Sequence, residues 1–156
     1  MGMTDIELFV ELCRDEISLV SRLIAFLEQE QSALVGGEVL KLEPLADEKS
    51  RALEALSEKG RERQLLLKKL GITGVTAVRA WISDKPEACA AWVELEDTLQ
   101  KALVLNQFNG RVINQGLQNA EQALNVLKTA AASTLGYGRD GSQAEIPIGG
   151  RHLGSA

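Results

Sequence analysis

DIELFVELCRDEISLVSRLIAFLEQEQSAL, residues 5–34, places apolar side chains at alternating steps of four and three: Ile6, Val10, Cys13, Ile17, Val20, Ile24, Leu27, then polar Gln31, then Leu34. A repeat of about 3.5 residues marks helices that pack along their length. A flanking row of Phe9, Leu12, Leu19, Leu23 and Phe26 widens the apolar face to what a bundle helix buries, and Glu11, Arg14, Asp15, Arg22 and Glu28 occupy the other side. Thr4 can cap the start, with Glu7 three residues on as its reciprocal partner.

Outward from this helix, Gly36-Gly37 breaks the pattern. A short apolar stretch follows (Val39, Leu40, Leu42), and Pro44 stands where the first turn of a second helix tolerates it. That helix is expected to reach Leu70 along Leu45, Lys49, Leu53, Leu56, Gly60, Arg63, Leu67 and Leu70, a more charged stripe with one wet side, and Gly71 suits a left-handed stop. Gly74–Ser83 predicts a short helix carrying Val75, Val78, Trp81 and Ile82. In Asp84-Lys85-Pro86-Glu87, Asp84 can cap, Pro86 pre-sets a first turn, and Glu87 favours the positive helix end. The helical pattern then continues to about Ser133, roughly 70 Å at about 1.5 Å per residue, with Asn109-Gly110 as the place where it could bend.

The fold class expected is therefore all-α: an elongated antiparallel bundle of three long helices plus a short one over residues 1–135, followed by a flexible C-terminal tail over 136–156. The composition agrees. Among 156 residues aromatics are only 4%, which favours packed helices over a β-sandwich, since strands lean on aromatic and β-branched pairs.

The same numbers exclude several functions. A formal net charge of −5 offers no basic footprint for nucleic acid. The basic run Lys59, Arg61, Arg63, Lys68, Lys69 is interrupted by Glu58 and Glu62 and reads as a solvated helix face. No apolar run spans a bilayer, which needs about 20 residues, and the start lacks the regions of a signal peptide, so the chain reads as cytoplasmic without stable membrane insertion. Cys13 and Cys89 read as structural buried thiols. The one histidine, His152, falls in the tail, where nothing frames it for catalysis or metal binding, and no phosphate-binding loop is present. No catalysis and no cofactor are expected.

The informative segment is the last helix. Over residues 101–133 its charges are Lys101, Arg111, Glu121 and Lys128 alone, and amides replace the rest: Asn106, Gln107, Asn109, Asn114, Gln115, Gln118, Asn119, Gln122, Asn125. Leu99, Leu103, Val104, Leu105, Phe108, Val112 and Ile113 point more than one way, so more than one side must be covered. From Leu99 to Ile113 the two earlier helices can supply that cover. From Leu117 to Leu127, past their reach, a groove for a partner helix is expected, with anchors spaced at Leu117, Ala120, Leu124 and Leu127. Asn106 falls on the apolar stripe, either as a polar residue that sets register or as a hydrogen-bonding group for a bound peptide. A scaffold that self-associates as a homo-oligomer through the same stripe is the alternative to a partner groove.

These residues resemble a known family. Asn106-Gln107-Phe108-Asn109-Gly110-Arg111-Val112-Ile113 is similar to the N-x-x-N segment in the last helix of the flagellar hook-junction chaperones, the FlgN family. Ala123-Leu124-Asn125-Val126-Leu127-Lys128 resembles the closing turns of that helix, and Leu135-Gly136-Tyr137-Gly138-Arg139-Asp140-Gly141 its Tyr-Gly-x-x-Gly ending, with Gly136 inserted. Glu48-Lys49, Glu62-Arg63-Gln64-Leu65-Leu66 and Leu70-Gly71 fit the second helix. The resemblance implies a type III export chaperone that holds terminal helices of hook-filament junction proteins and presents them to the flagellar export gate. It implies cargo contacts at Asn106, Asn109, Ile113, Leu117, Ala120, Leu124 and Leu127, and gate docking through Tyr137. A related secretion chaperone for another cargo, such as the filament cap, fits the same motifs.

Overall fold

Residues 5–34 fold as the repeat requires, within α1 (Asp5–Gly36). The computed structural model describes residues 2–135, apart from the side chains of 116–120 and 133–135. The expected tail, with Tyr137 and His152, lies outside the described residues. At the start of α1 the Thr4 hydroxyl accepts from the Glu7 N–H at 3.2 Å, and the Glu7 carboxylate accepts from the Thr4 N–H at 2.8 Å. That reciprocal box satisfies two orphan donors and holds the Glu7 carboxyl below its ordinary range. At the other end Gly37 takes φ +70°, and the next N–H, of Glu38, returns to the Ala33 carbonyl at 2.8 Å.

A single 3-10 turn, Val39–Lys41, leads into α2 (Leu42–Lys69). The helix begins two residues before Pro44, which therefore sits inside the first turn, where an N–H has no helical acceptor to lose. Gly71, at φ +74°, closes α2. Next come α3 (Val75–Ile82) and α4 (Pro86–Leu135), and α4 passes through Asn109-Gly110 as uninterrupted helix. The expected cap is displaced by one residue. The Lys85 carbonyl accepts the first helical bond, from the Cys89 N–H at 2.9 Å, while the Asp84 carboxylate is held by Lys85 Nζ, also at 2.9 Å. Among the described residues there are no strands, and no helix is long and apolar enough to cross a membrane.

The chain divides into two units, Met1–Asn109 and Gly110–Ala156. In the first, α2 runs antiparallel to α1, since Glu16 meets Arg63 and Glu30 meets Lys49. The first half of α4 runs in the same sense as α1, with Phe9 against Trp92 and Leu27 against Asn109. Two apolar clusters fill the space. One gathers Phe9, Cys13, Leu66, Leu67, Val78, Ile82, Trp92 and Leu95, and takes in α3 through the edge-to-face pair of Phe9 and Trp81 at 5.2 Å. The other gathers Val20, Leu23, Ile24, Leu27, Ala52 and Ala102. Burying each large aliphatic or aromatic side chain contributes about 1.5–3 kcal/mol. On α2 the phase of the stripe differs from expectation at one point: Ala52 is buried and Leu53 is exposed. In the second unit the described structure consists of the C-terminal half of α4.

Candidate docking surface on the last helix

Two polar bridges fasten α4 within the first unit. Glu16, only 2% exposed, receives Arg63 through Nε at 2.5 Å and Nη2 at 3.2 Å, and the guanidinium lies 5.3 Å from the centre of the Trp92 ring. This corrects the reading of Arg63 as a solvated cation: its side chain is 14% exposed. A planar fork can serve a carboxylate edge-on while its face rests on an aromatic ring, which a lysine could not do. Of the rest of that run, Arg61, Lys68 and Lys69 are exposed, and Lys59 pairs with Glu62 and Asp15.

The second bridge uses Asn109. Its side-chain amide donates to the Leu27 carbonyl at 3.0 Å and to Glu30 Oε1 at 2.8 Å, and Lys49 reaches the same Glu30 oxygen at 3.3 Å. Asn109 is 1% exposed. Both acceptors face its nitrogen, so the amide orientation is fixed and Oδ1 is left without a donor. Asn109, expected among the cargo contacts, is thus engaged inside the fold, and Asn106, expected on the apolar stripe, is exposed. The seam passes through Ala102, half-buried Leu105 and Asn109 instead, because a step of three from Ala102 brings an apolar side chain inward where a step of four would bring an amide.

Beyond these bridges α4 carries apolar side chains without cover. Leu103 and Val104 are exposed in the first unit. In the second, Ile113 is 45%, Val126 66% and Leu127 42% exposed, and Leu124 is half-buried. Leu117 and Ala120 lie in the helix, but their side chains are outside the description, and Tyr137 lies beyond it altogether. The backbone places Ile113, Leu117, Ala120, Leu124 and Leu127 along one line at steps of four and three. Val126 stands off that line, a width that the spacing argument missed although the apolar Val126-Leu127 pair carries the signal.

Among the described residues both thiols are engaged within the fold. Burial pushes the Cys13 thiol up to about 12, against a smaller opposing effect of the Arg63 charge, so it is neutral at physiological pH. Cys89, half-buried, donates its thiol to the Ile82 carbonyl at 3.0 Å. Among the described residues no three His, Cys, Asp or Glu side chains group where a metal could sit.

Comparison with known proteins gives a consistent result. The family model described as "FlgN protein" matches residues 1–145. The flagella synthesis protein FlgN of Proteus mirabilis is 27% identical over 140 residues, covering 88% of this chain and 91% of that protein. The flagella synthesis protein FlgN of Yersinia enterocolitica is 26% identical over 141 residues, covering 89% and 91%. No solved structure matches the chain.

Proposed function

The chain belongs to the FlgN family, and from that premise we propose that it is a cytoplasmic flagellar type III export chaperone. Its cargo is the terminal amphipathic helices of hook-filament junction proteins, which it keeps from aggregating and delivers to the export gate. The relatives' name, flagella synthesis protein, supports the flagellar setting. The observation that carries the reading is the exposure of Ile113, Val126 and Leu127 on a helix that has no second described element in its own unit. Apolar helix faces left in water are covered by a partner.

A junction-protein terminus that is disordered alone folds as its apolar face meets this line, and the buried area offsets the entropy of ordering. Ile113, Leu117, Ala120, Leu124 and Leu127 form the contact row in the second unit, and Asn106, exposed in the first unit, is a separate polar contact. Asn109 acts from inside by holding α4 to α1. Tyr137 docks at the export gate, a separate duty from cargo binding.

The test is calorimetric titration of the full chain with a peptide spanning a junction protein's terminal helix. Leu124→Asp is expected to weaken binding at least tenfold with helicity unchanged, and Tyr137→Ala to spare binding while reducing export in cells. Unaltered affinity in Leu124→Asp would refute the groove, and a stable homo-oligomer indifferent to peptide would favour the scaffold. Equal affinity loss in Tyr137→Ala would refute a separate docking role.

A further inference from the structure

The end of the α1–α2 hairpin is built unlike a solvent-facing turn. Turns are ordinarily polar, because their residues gain nothing from exposing hydrocarbon. Here Val35 is 70%, Val39 71% and Leu40 94% exposed. Gly37 forces the reversal with its left-handed φ, and the 3-10 turn that follows presents Leu40 outward. Beside Leu40 lies an open cleft of about 580 Å³, lined by Ala33, Pro44 and Leu45 and edged by Glu28, Glu38 and Glu48.

Charge accompanies this apolar surface. Residues 28–48 hold six carboxylates and one lysine, equal to the formal net charge of −5 of the entire chain. Glu38 is neutralised by Lys41 at 2.6 Å, and Glu30 by Lys49 at 3.3 Å. Glu28, Glu43, Asp47 and Glu48 have no cation within ion-pair distance among the described residues. Such an arrangement suits a long basic side chain, whose methylenes can lie on Pro44 and Leu45 while its head reaches the carboxylates.

We propose that this turn is a second docking surface, separate from the groove on α4, and that its occupant is a cationic amphipathic segment of a partner protein. Leu40 and Val39 supply the apolar contact, and the unpaired carboxylates select arginine or lysine beside it and speed encounter. An anionic membrane surface is disfavoured by the same charge.

The experiment uses the full chain, 15N-labelled, titrated with a 14-residue helical peptide of leucines and arginines at helical spacing, and with its glutamate-for-arginine counterpart. The arginine peptide is expected to shift the amides of Leu40, Lys41 and Leu45, and to lose affinity with added salt. Leu40→Ser, and Glu28→Lys with Glu48→Lys, should each weaken it at least tenfold with the circular dichroism spectrum unchanged. Leu124→Asp should leave it unaltered, which separates this surface from the cargo groove. The proposal is overturned if the shifts fall on α4 alone, if both peptides bind alike, or if anionic vesicles bind and the peptide does not. It is equally overturned if sedimentation shows self-association that Leu40→Ser abolishes, since the occupant would then be a second copy.

Discussion

Arg63→Ala is expected to be among the most damaging single changes in the protein. The Glu16 carboxylate is nearly fully buried, and Arg63 is the cation bonded to both of its oxygens. Removing that partner strands a charge in the core, which costs about 3–5 kcal/mol. Losing the guanidinium over Trp92 adds about 0.5–2 kcal/mol. A total of about 3.5–7 kcal/mol is a large part of the roughly 5–15 kcal/mol that holds a domain together. Replacing both partners by leucine removes the stranded charge and should fall within about 1 kcal/mol of the parent, or above it. Urea unfolding followed by circular dichroism at pH 7 measures all three proteins, with Arg61→Ala as the exposed control. A cost for Arg63→Ala no greater than that of Arg61→Ala, or a double variant as unstable as the single one, would refute the assignment of a buried pair.

Asn109→Ala, which removes the donor shared by Leu27 and Glu30, should cost about 1–3 kcal/mol in the same assay. Asn106→Ala, at the surface, should cost less than about 0.5 kcal/mol, and equal costs would contradict the placement of the seam. Cys13 should resist a thiol reagent at pH 8 in the native state, while half-buried Cys89 reacts first. The unfolded thiol ionises near 8.5, whereas the folded one keeps its proton to about 12, so the unfolded state binds fewer protons between these values. Stability is therefore complete below about pH 8.5 and declines as pH rises toward 12. Cys13→Ala should flatten that alkaline decline, and an unchanged slope would show that the thiol does not cause it.

The helices were legible because their signals are local and redundant: a long 3.5-residue repeat, Gly36-Gly37, Gly71 and Pro86 each act through the backbone within a turn or two. What escaped depends on the other helices. Arg63 reads as a surface charge, and nothing local singles out Glu16, until α1 and α2 are laid together, when each becomes the reason the other can be buried. Asn106 and Asn109 are both plausible on an apolar stripe, and the carbonyl of Leu27 with the carboxylate of Glu30 decides between them. The displaced cap follows from Lys85, whose ammonium reaches both the Trp81 carbonyl and the Asp84 carboxylate. The candidate groove was legible as apolar excess on α4, and the width that Val126 adds was not.

The two part-buried ion pairs between α1 and α2, Glu16 with Arg63 and Glu30 with Lys49, also govern how the hairpin zips. Glu16 and Glu30 are two heptads apart, as are Lys49 and Arg63, and between them Leu23 and Leu56 share the second cluster. Ionic and hydrocarbon layers thus alternate down the interface, Phe9 with Leu70 at one end, then Glu16 with Arg63, Leu23 with Leu56, and Glu30 with Lys49. Sliding one helix by a heptad keeps the apolar stripe aligned, which is the error that a uniform leucine seam would tolerate. Here a slip in one direction sets Glu16 against Leu56 and Glu30 against Leu42, and a slip in the other sets them against Leu70 and Leu56. Each misalignment buries carboxylates on hydrocarbon, so the charges select a single pairing of two helices whose grease alone would accept three.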